Sequence, residues 1–167
     1  MIIGPESTGK STLAKALAKE LETVWVPEYA RDYLIQINRP YQEQDLLQIA
    51  KGQIALEDTL ALQAHRWLIC DTDLYVIKVW SEHKYHRCDP WILQQIAKRN
   101  YDLYLLTDID LPWEDDPLRE NPEPNMRTYF FNVYHDIVVH SHTRWQKISG
   151  TPEERIATAL RAIQEGS

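Results

Sequence analysis

The run Gly4-Pro5-Glu6-Ser7-Thr8-Gly9-Lys10-Ser11-Thr12 satisfies the phosphate-loop pattern G-x-x-x-x-G-K-[ST] in full. Such a loop works in one backbone setting: a buried strand ends at the first glycine and a helix starts at the lysine. Both neighbours fit. Met1-Ile2-Ile3 is the stub of a buried strand, and Ser11 to Glu22 carries apolar residues at helical spacing with no Gly or Pro. The glycines let backbone N–H groups turn inward around an anion, and the helix N-terminus adds its own free N–H groups. Gly4, Glu6, Ser7, Thr8, Gly9, Lys10, Ser11 and Thr12 are therefore expected to hold ATP and Mg²⁺. Lys10 would be a point charge on the β/γ-phosphates and Ser11 a metal ligand.

Beyond the loop, short apolar runs alternate with helical patterns. Strands are expected at residues 23–26, 67–70, 101–107 and 146–148. Helices are expected at 28–38, 42–65 (one or two, with a kink at Gly52), 74–82, 91–98, 126–140 and 152–164. Thr151 should cap the last helix, with Pro152 at its first position. Residues 111–125 hold Pro112, Pro117, Pro122 and Pro124 and read as a long structured loop. Strand–helix alternation implies an α/β fold with a parallel sheet covered on both faces. At 167 residues the chain is expected to form one domain.

A formal charge of −7 argues against a dedicated nucleic-acid surface. No apolar run approaches the roughly 20 residues of a membrane span, and no basic segment precedes an apolar one as in an export signal. The two cysteines, Cys70 and Cys88, form no close motif and are expected to be free thiols in a cytoplasmic protein. His83-x-x-His86-x-Cys88 lacks a second ligand pair and gives no expectation of a metal site.

Ligands of parallel sheets gather at the carboxyl ends of the strands. There stand Glu28-Tyr29-Ala30-Arg31, Asp71-Thr72-Asp73 and Asp108-Ile109-Asp110. Any one of these aspartates can serve as a helix cap, but several acids facing an ATP loop also suit Mg²⁺ and a nucleophile. Asp71, at the end of an apolar third strand, is the candidate second metal-side acid. Glu28 and Asp73 compete for the base that accepts a substrate hydroxyl proton. Arg31 either pairs with Glu28 or stabilises transferred phosphate. Residues 111–127, carrying Arg119 and Arg127, have the layout of a lid that closes over the reaction and excludes water. Tyr29, Tyr33, Tyr75, Trp80 and Trp113 stand near these strand ends, and one or two of them are candidate stacking partners for a flat substrate ring.

The phosphate loop, Pro27-Glu28-Tyr29-Ala30-Arg31, Asp71-Thr72-Asp73 and Trp113-Glu114-Asp115-Asp116-Pro117-Leu118-Arg119, in that order, resemble the ribosylnicotinamide kinase domain of NadR-type proteins. The resemblance spans nearly the whole chain. It implies a P-loop kinase fold with a five-stranded parallel sheet in the order 2-3-1-4-5. It also implies transfer of the ATP γ-phosphate to the 5′-hydroxyl of nicotinamide riboside, giving nicotinamide mononucleotide in NAD biosynthesis. By the same resemblance Gly9, Lys10, Ser11 and Thr12 hold phosphates and Mg²⁺, while Glu28, Tyr29 and Arg31 border the acceptor. Asp71 and Asp73 serve metal and ribose, and Arg119 belongs to the lid. Neither an adenylyltransferase nor a helix-turn-helix segment is present in the sequence. Another nucleoside or small alcohol therefore stays open as acceptor, as does a regulatory ATPase or switch. A homo-oligomer and a separate adenylyltransferase partner stay open as well.

Overall fold

The computed structural model describes residues 1–166. Its elements follow the expected alternation: β1 (Ile2–Ile3), α1 (Lys10–Glu20), β2 (Trp25–Val26), α2 (Tyr29–Ile37), α3 (Glu43–Ala61) and β3 (Ile69–Cys70). Then come α4 (Leu74–Tyr85), α5 (Pro90–Lys98), β4 (Leu103–Thr107), α6 (Pro124–His140), β5 (Arg144–Ile148) and α7 (Pro152–Gln164).

All strand pairs are parallel. One ladder runs β1-β4-β5, with Ile2 opposite Leu105 and Leu103 opposite Arg144; the other joins β2 to β3, with Trp25 opposite Ile69. The single five-stranded ladder expected from the sequence is thus resolved as three strands plus two. Between them lies one bridge, Ile2 to Asp71, where the Thr72 N–H donates to the Ile2 carbonyl at 3.1 Å. The cause is local. β1, β2 and β3 are two residues each, and the chain leaves β3 at Thr72 with φ 80°, a left-handed turn that a β-branched residue rarely adopts.

Alternation of side chains across the sheet builds two cores. Ile2, Leu105 and Ile148 pack with Leu13 and Leu17 of α1 and Ala159 and Ile163 of α7. Ile3, Tyr104 and Leu106 pack on the opposite face with Val79 of α4 and Phe130, Tyr134 and Val138 of α6. A third cluster joins α2 to α5 around Ile49, Ile77 and Ile92. Among the described residues no helix is long and apolar enough to cross a membrane.

Two helices correct the sequence reading. α3 runs unbroken through Gly52, because this glycine makes room for a ring rather than a kink: a Cβ there would lie 2.0 Å from Tyr29 Cε1. α6 starts at Pro124, where a missing N–H costs nothing in the first helical position. At the α2–α3 corner the buried Asp45 carboxylate accepts from Gln42 N at 2.7 Å, Tyr33 Oη at 2.9 Å and Arg39 Nη1 and Nη2. The Arg39 guanidinium holds the Asp45 carboxyl well below the usual carboxylate range.

Candidate active site

β1 ends at Gly4, whose φ is 149° and whose missing Cβ would sit 2.3 Å from Thr107 Oγ1 on β4. The loop therefore lies tight against the sheet. Thr8 fixes it there, its hydroxyl donating to Pro5 O at 2.8 Å and meeting Thr107 Oγ1 at 2.7 Å. Ser7 and Gly9 take positive φ, 55° and 78°, and Gly9 stands at the N-terminus of α1. Lys10 Nζ bends back over the loop onto Gly4 O at 3.0 Å and Pro5 O at 2.6 Å. A tight loop with left-handed residues at Ser7 and Gly9, a helix start and an ammonium have the make-up of an anion cradle.

The loop between β4 and α6 folds down onto the cradle. Ser7 Oγ accepts from Glu114 N at 2.9 Å and from Arg119 Nη1 at 3.3 Å. Arg127 Nη2 donates to Ser7 O at 3.2 Å and Leu111 O at 3.0 Å. Its Nε is buried with no acceptor, and burial pulls the Arg127 pKa down. A cation so poorly paired beside a phosphate loop favours an anionic neighbour. Arg31 forms its ion pair with Asp116 of this loop, not with Glu28. Trp113 is not among the residues lining the cavity; both Arg119 and Arg127 lie 5.9 Å from its ring, and its indole N–H donates to Asp115. Glu6, within the phosphate loop, turns its carboxylate toward Glu120 and Asn121.

The strand-end acids separate into distinct environments. Glu28 lines the cavity, and burial is the largest cause of its raised pKa, with Lys10 and Arg31 opposing and Asp71 and Glu6 reinforcing. Asp73 is committed elsewhere: it caps α4 through Tyr75 N at 2.9 Å and accepts from Tyr104 Oη at 3.1 Å, and burial pushes its carboxyl up to about 6. It is not a lining residue. Asp71, 1% exposed, lies behind the lining, and neither of its oxygens has a hydrogen-bond partner. Burial raises its pKa; Lys10 opposes that most strongly, and the Ser11 and Thr72 hydroxyls help without forming hydrogen bonds of sound geometry. Unpaired oxygens near Ser11 are hard donors of the type Mg²⁺ takes, and Mg²⁺ in such sites needs few protein ligands.

The cavity that Glu28 lines holds about 550 Å³. Part of its wall is apolar and aromatic, with Leu34, Val76, Trp80, Phe130 and Tyr134. Tyr29 lies off this wall, against Gly52 of α3. Arg155 was not legible as a site residue. Its buried guanidinium donates to Thr8 O at 2.9 Å and Gly150 O at 3.0 Å and pairs with Asp110, so it joins three loops at the cavity wall. One sequence signal pointed to it: a cation near the start of α7, where the helix dipole favours acids. Of the five candidate aromatics only Trp80 lines the cavity, while Leu34 gave no signal, since apolar residues on helices read as core.

Fold and site together define a P-loop nucleotide-binding domain. A family model for the AAA domain matches residues 1–155, and the chain belongs to that family. The trifunctional NAD biosynthesis/regulator protein NadR of Escherichia coli is 28% identical over 98% of this chain, which covers 40% of that protein. Its counterpart in Salmonella typhimurium is 31% identical over 79% of this chain and 33% of that protein. The chain thus spans well under half the length of these relatives. In shape it matches a solved NadR protein in complex with NR, TM-score 0.78 at 20% identity, over 98% of this chain and 49% of that one. A NadR protein in complex with NAD and AMP-PNP matches with TM-score 0.77 at 21% identity, over 98% of this chain and 48% of that one. The likenesses in structure show a shared fold.

Proposed function

We propose that this chain is a cytoplasmic P-loop kinase domain that phosphorylates the 5′-hydroxyl of nicotinamide riboside with ATP, giving nicotinamide mononucleotide and ADP. The observation that carries the reading is similarity along 98% of the chain to NadR. Solved NadR proteins hold NR in one case, and NAD with the ATP analogue AMP-PNP in another. The site supports it through a phosphate loop and an ionisable carboxylate sharing one cavity with an aromatic wall. We further infer that the two ladders act as one five-stranded sheet in the order 2-3-1-4-5, supported by the Ile2–Asp71 bridge.

In this scheme Lys10, the α1 N-terminus and Arg127 balance the charge of the phosphates. Ser11 and Asp71 would hold Mg²⁺, which would neutralise charge on the phosphate oxygens. Glu28 orients the acceptor hydroxyl and takes its proton as the new O–P bond forms and the β–γ bridge bond breaks. Burial raises its pKa and so makes it a stronger proton acceptor than an ordinary glutamate. Between the two candidates for the base, the cavity favours Glu28, because the oxygens of Asp73 are engaged by Tyr75 and Tyr104. Arg119, held at Ser7, stabilises the transferring phosphoryl group. Catalysis is then mainly positioning and charge stabilisation.

The test is incubation of the purified protein with Mg²⁺-ATP and nicotinamide riboside, with the product read by mass. A mass gain of one phosphoryl group on the riboside is expected. ATP binding without any phosphorylated riboside would overturn the acceptor assignment.

A further inference from the structure

Glu6 is an acidic residue inside a loop built to hold phosphate, where its charge opposes that of the ligand. The structure gives it a different task. Its carboxylate accepts from Glu120 N at 3.1 and 3.3 Å through its two oxygens, from Asn121 N at 3.1 Å and from Asn121 Nδ2 at 3.4 Å. Its neighbour Ser7 accepts from Glu114 N at 2.9 Å. Two adjacent phosphate-loop residues thus grip both flanks of the segment that carries Arg119. The Arg119 guanidinium itself lies 3.3 Å from Ser7 Oγ.

A carboxylate suits this grip better than a neutral side chain, because N–H groups bound to an anion make bonds about twice as strong as neutral pairs. The backbone amides of Glu120 and Asn121 lie in a segment with no helix or strand of its own, so the Glu6 oxygens are the acceptors that order them. Glu120 extends the connection outward: Tyr41 Oη donates to it at 2.9 Å and Lys84 Nζ at 3.2 Å. The grip is thereby continuous from the phosphate loop to the corner before α3 and the outer turn of α4.

We propose that Glu6 is a positioning residue that ties the Arg119-bearing loop to the phosphate loop, holding the guanidinium at the phosphoryl group and water away from it. This inference rests on the kinase reading above, and the experiment separates the two. Wild type, Glu6→Ala and Glu6→Gln are compared for kcat, KM for ATP, ADP released per mononucleotide formed, and amide hydrogen exchange at Glu120 and Asn121. In Glu6→Ala, exchange at those two amides should accelerate by at least about tenfold, and kcat should fall by a similar factor with no rise in KM for ATP. ADP release should outrun mononucleotide formation. Glu6→Gln, which keeps an oxygen acceptor, should fall between the two and also serves if the alanine variant fails to fold. Unchanged exchange at both amides would overturn the tether, as would a raised KM for ATP at constant kcat, which would make Glu6 a direct nucleotide contact. A wild type that makes no mononucleotide would count against the kinase reading alone, since the exchange measurement needs no acceptor.

Discussion

Asp71→Asn should make the protein more stable and less active at once. At 1% exposure the Asp71 carboxylate has neither oxygen hydrogen-bonded, and burial is the main cause of its raised pKa. An unsatisfied buried polar group costs about 1–3 kcal/mol, more when charged. The sign follows from linkage. A carboxyl whose folded pKa lies above its unfolded value of about 3.9 contributes fully below that value, and loses its contribution as pH rises through the folded pKa. At neutral pH the ionised group is therefore a net cost, offset in part by the Lys10 ammonium. Asparagine removes the charge, and its amide finds the Ser11 and Thr72 hydroxyls nearby; Thr72 Oγ1 is itself without a partner. A gain of about 1 kcal/mol corresponds to roughly 2–4 °C in Tm for a chain of this size. Calorimetric or fluorescence melts at pH 7 without Mg²⁺ read this directly, and the gain should shrink at pH 4. The variant should also lose the extra stabilisation that Mg²⁺ adds to wild type in the presence of ATP. An unchanged or lower Tm at pH 7 would refute the reasoning, because Asp71 would then be well satisfied in the fold.

Other substitutions probe the remaining parts. Glu28→Gln should lower kcat by about 10²–10⁴-fold, the usual worth of a positioned base. In wild type the acid limb of the pH–rate profile should lie above the ordinary glutamate range, since burial raises the Glu28 pKa; a kcat unchanged in the variant would remove Glu28 from the mechanism. Arg155→Met should cost about 1.5–3 kcal/mol and raise KM for ATP, because Thr8 O and Gly150 O lose a charged donor. Urea melts and ATP titrations check both. Gly52→Ala should destabilise by about 1–3 kcal/mol less the helix-propensity gain of about 1 kcal/mol, because the new methyl meets the Tyr29 ring at 2.0 Å. A variant at least as stable as wild type in a urea melt would mean that the ring moves freely.

Local signals carried much of the fold. The phosphate loop, α1 and the Thr151-Pro152 start of α7 are written in short-range chemistry, and the structure has all three, with a reciprocal Thr151–Glu154 cap. The break between the ladders was not readable, since it depends on how many residues of β1 and β3 stay in register before Thr72 turns. Gly52 misled because a helix glycine looks the same whether it bends the chain or admits a distant ring. At the site, strand-end position found the acids but not their roles. Asp71 and Asp73 are two residues apart, yet the positive φ of Thr72 sends one toward Lys10 and the other to the start of α4. Arg155 and Leu34 reach the cavity only through tertiary packing, which no spacing rule encodes.

The most direct test of the central claim is ADP release followed with and without nicotinamide riboside at saturating Mg²⁺-ATP. A kinase of this kind should release ADP slowly alone and much faster with the riboside, with one mononucleotide formed per ADP. ADP release at the same rate in both conditions, with the riboside recovered unchanged, would contradict the account and leave an ATPase whose output lies elsewhere.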